Sequence, residues 1–115
     1  TVRVSKCGGL SRSLSIARRA AAAGIGLQVG SQVGETAILS AAGRHLAAHL
    51  PEVAFVEGSY GTLLLTEDVS VESVRFGHRG RAPLLSGPGL GVQVLEERLG
   101  KYARRVVELG PGRAS

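Results

Sequence analysis

Six residues have the types and positions that chemistry could use: Arg3, Lys6, Ser31, Gln32, Glu35 and Glu57. A guanidinium and an ammonium near one cleft, from Arg3 and Lys6, could hold a carboxylate or stabilise an enolate oxygen. A lysine whose pKa is lowered by neighbouring cations could serve as a base. Ser31, Gln32 and Glu35 add a hydroxyl, an amide and a carboxylate, and Glu57 adds a second carboxylate. Most have a plainer explanation too. Lys6 could be merely solvated, and Arg3 could pair with an acid such as Glu57. Glu35 opens a helical pattern and would interact favourably with the helix N-terminus. Glu57 falls on a strand end and has no such routine explanation.

The other suggestive motifs fail on context. His45 and His49 share a helix face at a zinc-binding spacing, but Leu46, Ala47 and Ala48 between them include no Glu to act as base. His78 lies in a turn beside Arg79 and reads as surface. Ser11, Ser13 and Ser15 lack the G-x-S-x-G setting of a hydrolase nucleophile. GPGLG at 87–91 resembles a phosphate loop, yet VQV follows where a helix would have to start. A tight turn that brings backbones close explains it better.

The elements that position the six candidates follow from periodicity. TVRVSK at 1–6 alternates and predicts a strand ended by Gly8-Gly9. Residues 11–23 hold an apolar stripe at helical spacing, with Ser11 as N-cap and Gly24 just past the end. IGLQVGS at 25–31 predicts a second strand, residues 35–49 a second helix closed by Pro51, and VAFVEG at 53–58 a third strand. Strand–helix–strand–helix–strand with short loops predicts a parallel sheet with right-handed crossovers. In such α/β sheets and barrels ligands bind at the C-terminal ends of the strands, which is where the six candidates fall.

Beyond residue 58 the pattern changes. Leu63 to Leu65 form an apolar run, and VESVRF and RAPLLS flank a GHRG turn that reads as a hairpin. GPGLGVQV predicts a turn leading into a short strand, EERLGKYARRVVEL a terminal helix broken or capped near Gly100, and PGRAS a frayed end.

Composition narrows the classes. The 115 residues are 43% apolar and 20% charged, which is ordinary globular composition. No apolar run approaches the roughly 18–20 residues that span a bilayer. Cys7 is the single cysteine, so no internal disulfide framework or cysteine zinc site is available. A cytoplasmic location is the default expectation. The net charge of +5 raises the question of nucleic acid. The basic residues are dispersed, and the few aromatics do not interleave with them for base stacking. The chain opens directly in a strand-like run without an initiator Met, and is expected to be a fragment.

VRVSKCGGLSRSLSIARRAAAAGIGLQVGS, then ETAILSAAGRHLAA, then GTLLL and PGLGVQV, resemble as an ordered set the C-terminal part of enolase-superfamily enzymes. The likeness is strongest to the muconate-lactonizing and mandelate-racemase-like groups, over residues 2–100. The resemblance implies an α/β fold: the C-terminal part of a modified (β/α)8 TIM barrel, about three βα units, followed by a tail with a hairpin and a terminal helix. Residues 1–58 would be strands six to eight with two intervening helices. Residues 59–115 would pack toward a missing N-terminal capping domain.

The implied chemistry is abstraction of a proton alpha to a carboxylate, giving an enediolate stabilised by Mg²⁺. The family's metal ligands are carboxylates on strands three to five, upstream of this chain, so no metal ligand is assigned here and Asp68 is no substitute. The resemblance makes Arg3, Lys6 and Glu57 the catalytic candidates, and Ser31, Gln32 and Glu35 the substrate-binding ones. Two departures stand out. Arg3 occupies the place of a Lys base, with Lys6 matching the second Lys of the pattern. An arginine stays protonated, so Arg3 would act as electrophile or carboxylate clamp, which favours one-sided chemistry such as dehydration or cycloisomerisation. Gly34 stands where relatives place an acid, with Glu35 next.

The expected partners are a small carboxylate substrate and the missing N-terminal part of the same protein. The parent would be a lyase or isomerase and a homo-oligomer, with no nucleic acid or membrane partner, and the chain alone would be inactive. The alternative is a small basic α/β module that binds anionic ligands or RNA, with an affinity that falls steeply with salt. A third reading is a half barrel that dimerises through its exposed sheet edges.

Overall fold

Val2, Val29 and Val56, evenly spaced along the chain, lie side by side in parallel register. Val2 N–H donates to the Gln28 carbonyl (2.7 Å) and Gly30 N–H to the Val2 carbonyl (2.8 Å). Across the other side, Ala54 N–H donates to Leu27 and Glu57 N–H to Val29, both at 2.8 Å. Only Gln28–Val29 (β1) and Phe55–Val56 (β2) extend as strands; Val2 contributes a single bridge. The computed structural model describes residues 1–58, 60–108 and 110.

Two helices cover one face of this sheet: α2 (Leu10–Ala22) and α3 (Ala37–Ala48). Val2, Val4, Leu27 and Val29 bury against Ala17, Ala42, Leu46 and Leu50 to form the main core. Strand alternation sends Arg3, Gln28, Gly30, Phe55 and Glu57 to the opposite face. Phe55 is 71% exposed there, and among the described residues no strand pairs with the far edge of β2.

The predicted first strand is cut short. Arg3 is still extended, but Val4–Cys7 form a helical turn (α1) closed by Gly8 in the left-handed region at φ 82°. A V-x-V pattern keeps Val2 and Val4 on the core in either conformation, and the Gly8-Gly9 pair selects the turn. The next helix starts one residue early, at Leu10, with Gly9 rather than Ser11 at its N-cap. Buried Ser13 donates its hydroxyl to the Gly9 carbonyl at 2.7 Å. Gly24, at φ 71°, ends the helix as expected, and Ile25 N–H returns to the Ala20 carbonyl.

α3 begins at Ala37 rather than 35, and the cap is not local. Thr36 makes no side-chain cap, whereas both carboxylate oxygens of Asp68 accept the Ala37 N–H, at 3.0 and 2.9 Å. Gly61 opens α4 (Gly61–Leu64) against the preceding loop, where a Cβ would stand 2.0 Å from the Glu35 carbonyl oxygen. The Leu63–Leu65 run is therefore part of a helical turn, and Leu63 is 81% exposed.

The predicted hairpin around GHRG does not form strands. One rung, Gly77 N–H to the Arg81 carbonyl at 2.7 Å, closes a 3-10 turn at His78–Gly80. The carbonyls a ladder would need are taken by Arg44 of α3, which donates to Arg75 (3.0 Å) and Pro83 (3.2 Å). Pro83 also has no N–H to contribute. The tail pairs elsewhere: the short strand expected after the Gly/Pro turn is reduced to a single antiparallel bridge between Ser70 and Val94. The last helix, α5 (Glu96–Tyr102), ends two residues past Gly100, near the break expected there. The expected frayed end, PGRAS, lies outside the described residues. Among the described residues no helix is long and apolar enough to cross a membrane.

Candidate functional site

The C-terminal ends of the three strand segments bring Arg3, Gly30–Ser31 and Glu57 together. Gly30 is essential to this packing. A Cβ on it would lie 2.5 Å from Thr1 Cγ2, 3.1 Å from Arg3 Nε and 3.2 Å from Arg3 Cγ, so the Arg3 side chain lies across a position only glycine leaves open. Arg3 Nε and Ser31 Oγ are both buried with no hydrogen-bond partner among the described residues. Unpaired buried donors are costly, and at a strand-end cleft they are the groups a polar ligand would satisfy.

Glu57 does not pair with Arg3. Its Oε1 accepts the Gln28 amide at 2.6 Å, and Gln28 Oε1 accepts the Thr1 hydroxyl at 3.0 Å. Glu35 is turned away from the start of α3, which Asp68 serves instead. Its Oε1 accepts the Gln32 backbone N–H at 2.7 Å and the Ser5 hydroxyl at 3.4 Å. Glu35 therefore serves Gln32 and Ser5 rather than the helix start, and Arg3 makes no ion pair with Glu57 among the described residues.

A cleft of about 280 Å³ opens beside these residues, lined by Ser31, Glu35 and Glu57 together with Arg44 and Phe76. Gly30, which the Arg3 side chain crosses, also lines the cleft, whereas Arg3 itself lies behind Gly30 and is not part of the lining. Gln32 contributes its backbone N–H to Glu35 rather than its side chain to the cleft. Lys6 is exposed on α1, and its ammonium makes no hydrogen bond or ion pair among the described residues.

Three residues at the site were not picked out from the sequence. Gln28 is the one polar residue within the strand pattern IGLQV, which is a signal that could have found it. Arg44 lies 5.8 Å from the Phe76 ring centroid, and partial burial lowers its pKa from the usual guanidinium value. Nothing in the local sequence of either residue announces that contact.

The residues present do not make a magnesium site. Among the described residues no three His, Cys, Asp or Glu side chains come together to hold a metal. Glu35 and Glu57 each have an oxygen engaged, and Asp68 is bound to the start of α3. His45 Nε2 meets the Leu90 carbonyl at 3.0 Å and His49 Nδ1 the His45 carbonyl at 2.8 Å, so both histidines serve backbone contacts.

A parallel α/β layer with polar groups gathered at its strand ends defines the class, and comparison gives the family. The chain matches the enolase C-terminal domain-like family over residues 1–98. It is 33% identical over 103 residues to muconate cycloisomerase 1 of Rhodococcus opacus, covering 90% of this chain and 27% of that protein. It is 33% identical over 103 residues to the N-succinyl-L-Arg/Lys racemase of Bacillus cereus, covering 85% of this chain and 25% of that one. Its fold superposes on the crystal structure of muconate lactonizing enzyme from Klebsiella pneumoniae with a TM-score of 0.78 and 35% identity, over 91% of this chain and 29% of that chain. This chain belongs to the enolase C-terminal domain-like family and matches the C-terminal barrel part of muconate-lactonizing-like enzymes. It spans about a quarter of the length of the curated relatives it matches.

Proposed function

We propose that this chain forms the last staves of the barrel, strands six to eight, in an enolase-superfamily isomerase or lyase that removes a proton alpha to a carboxylate. The observation that carries this reading is the pair of buried, unpartnered groups, Arg3 Nε and Ser31 Oγ, at adjacent strand ends. Their donors suit a carboxylate or enolate oxygen. Arg3 brings a planar guanidinium there, whose fork of N–H donors matches a carboxylate. Ser31 adds a hydroxyl to the same oxygen cluster. Glu57 is the group that accepts or returns a proton, since its carboxylate faces the cleft and only one of its oxygens is tied. Lys6, exposed one helical turn from Arg3, adds positive potential that draws an anion to the mouth.

The magnesium ion implied by the family would neutralise charge on the enediolate, held by residues outside this chain. The partners proposed are a small carboxylate substrate and the remaining barrel and capping segments, against which residues 59–115 pack. A cytoplasmic homo-oligomer completes the reading. Exchange of the alpha proton of small carboxylates in deuterated water, followed by NMR on the protein containing this chain, tests it. Loss of one preorganised donor at a developing oxyanion costs about 100-fold to 1000-fold in rate. Arg3→Ala should lose that much and Arg3→Lys should recover part of it. Unchanged exchange in Arg3→Ala overturns the proposal.

A further inference from the structure

We propose that Gln28 is a positioning residue that holds the Glu57 carboxylate in one orientation at the mouth of the cleft. The inference rests on the proton-transfer role proposed for Glu57. Thr1, Gln28 and Glu57 stand on three adjacent strand segments, on the face away from the helices. They form one relay across the sheet: Thr1 hydroxyl to Gln28 Oε1 at 3.0 Å, then Gln28 Nε2 to Glu57 Oε1 at 2.6 Å. The carboxylate can only accept, so it fixes the NH₂ end of the amide toward Glu57 and leaves Gln28 Oε1 to accept from the Thr1 hydroxyl. The relay ties Oε1 and leaves Glu57 Oε2 without a partner among the described residues.

That division of labour is what a proton-transfer carboxylate needs. One oxygen is immobilised by a neutral donor, which adds no competing charge, and the other stays open to the reacting atom. A misplacement of about 1 Å in a reacting group can cost about 100-fold in rate. Gly30 keeps the neighbouring position free of a side chain, so Arg3 crosses beside the relay rather than displacing it.

The test is a double-mutant cycle on alpha-proton exchange, using the protein that contains this chain. Gln28→Leu should lower kcat about tenfold to 100-fold with KM little changed, and Gln28→Asn, which keeps the amide on a shorter stem, should recover part of the loss. In a Glu57→Gln background the same Gln28→Leu change should cost nothing further, because the residue acts through Glu57. Equal losses in both backgrounds would mean a general structural role and overturn the proposal.

A readout independent of activity separates this inference from the function it rests on. The Gln28 side-chain NH₂ resonances should move in Glu57→Gln, whatever reaction the protein performs. Movement of those resonances with no effect of Glu57→Gln on exchange would show the contact to be real and the proton-transfer role wrong. Resonances that stay in place would overturn the contact itself.

Discussion

In residues 1–58, Val2, Val29, Ala42 and Leu46 are buried against one another between a parallel sheet and two helices. From residue 60 onward the ties are mostly polar, and they reach far along the chain. Asp68 holds the Ala37 N–H, Arg44 holds the carbonyls of Arg75 and Pro83, His45 meets Leu90, and Arg98 donates to the Asp68 carbonyl. The tail's apolar anchors are smaller: Val74 packs on Ala37 and Ala41 of α3 with Leu85, Leu90 and Val92 around it, and Leu90 also reaches the main core. The first region is held by removal of apolar surface from water. The second follows the first as a strap fastened at particular donors and acceptors. Apolar burial does not depend on direction, whereas a hydrogen-bonded strap holds only while each partner is in place.

Substitutions in the two regions should therefore differ in kind as well as size. The largest effect is expected from Leu46→Ala, which empties a site 3% exposed at the centre of the first region. Burial of this kind is worth about 2–5 kcal/mol on truncation, read as a shift in the denaturant midpoint of the whole chain. A loss under about 1 kcal/mol would break the comparison, since typical core truncations cost more.

Asp68→Ala comes next. It removes a cap from α3 and should cost about 1–2 kcal/mol, with faster amide exchange at Ala37–Ser40 and around residues 67–71 together. Exchange that rises in only one of these segments would show that the strap is not fastened there.

The smallest effect is expected at the surface cluster on α5. Glu67 accepts from Lys101 (2.6 Å) and Tyr102 (2.5 Å) and pairs with Arg98 (3.0 Å). The Lys101 and then the Tyr102 hydrogen bond hold its carboxyl below the ordinary range, and the Glu67 bond raises the Lys101 ammonium above its own. For the depressed carboxyl, the contribution is complete above the ordinary carboxylate pKa and is lost as pH falls through the lowered value. For the raised ammonium, it is complete below the ordinary lysine pKa and is lost as pH rises through the raised value. Protection of the α5 amides, taken relative to their intrinsic exchange rates, should thus fall in strong acid and in strong base. Glu67→Gln should remove the acid limb and leave the core untouched. An acid limb that persists in the variant would place its cause elsewhere.

The same contrast explains what could be read from the sequence. The V-x-V and helical periods record which face is buried, so three strand positions and two helices were legible to within a few residues. The strand ends then pointed to Ser31, Glu35 and Glu57, which do line one cleft. The tail was less legible because alternation around GHRG records nothing about which group takes each carbonyl. Arg44, far back in the chain, takes two of them. The start of α3 was placed at Glu35 on a local rule, whereas the anion that caps it comes from Asp68. Gln28 was overlooked because strand-end reasoning stops at the ends, and the relay begins one pleat inside.

Asp68 has one more consequence. The first turn of α3 opens beside the cleft, with Leu39 and Ser40 on its wall. An uncapped helix start there would itself attract an anion. With the Asp68 carboxylate already seated there, that helix start is closed to a second anion. The tail thus sets the charge on one wall of the cleft from 31 positions away along the chain.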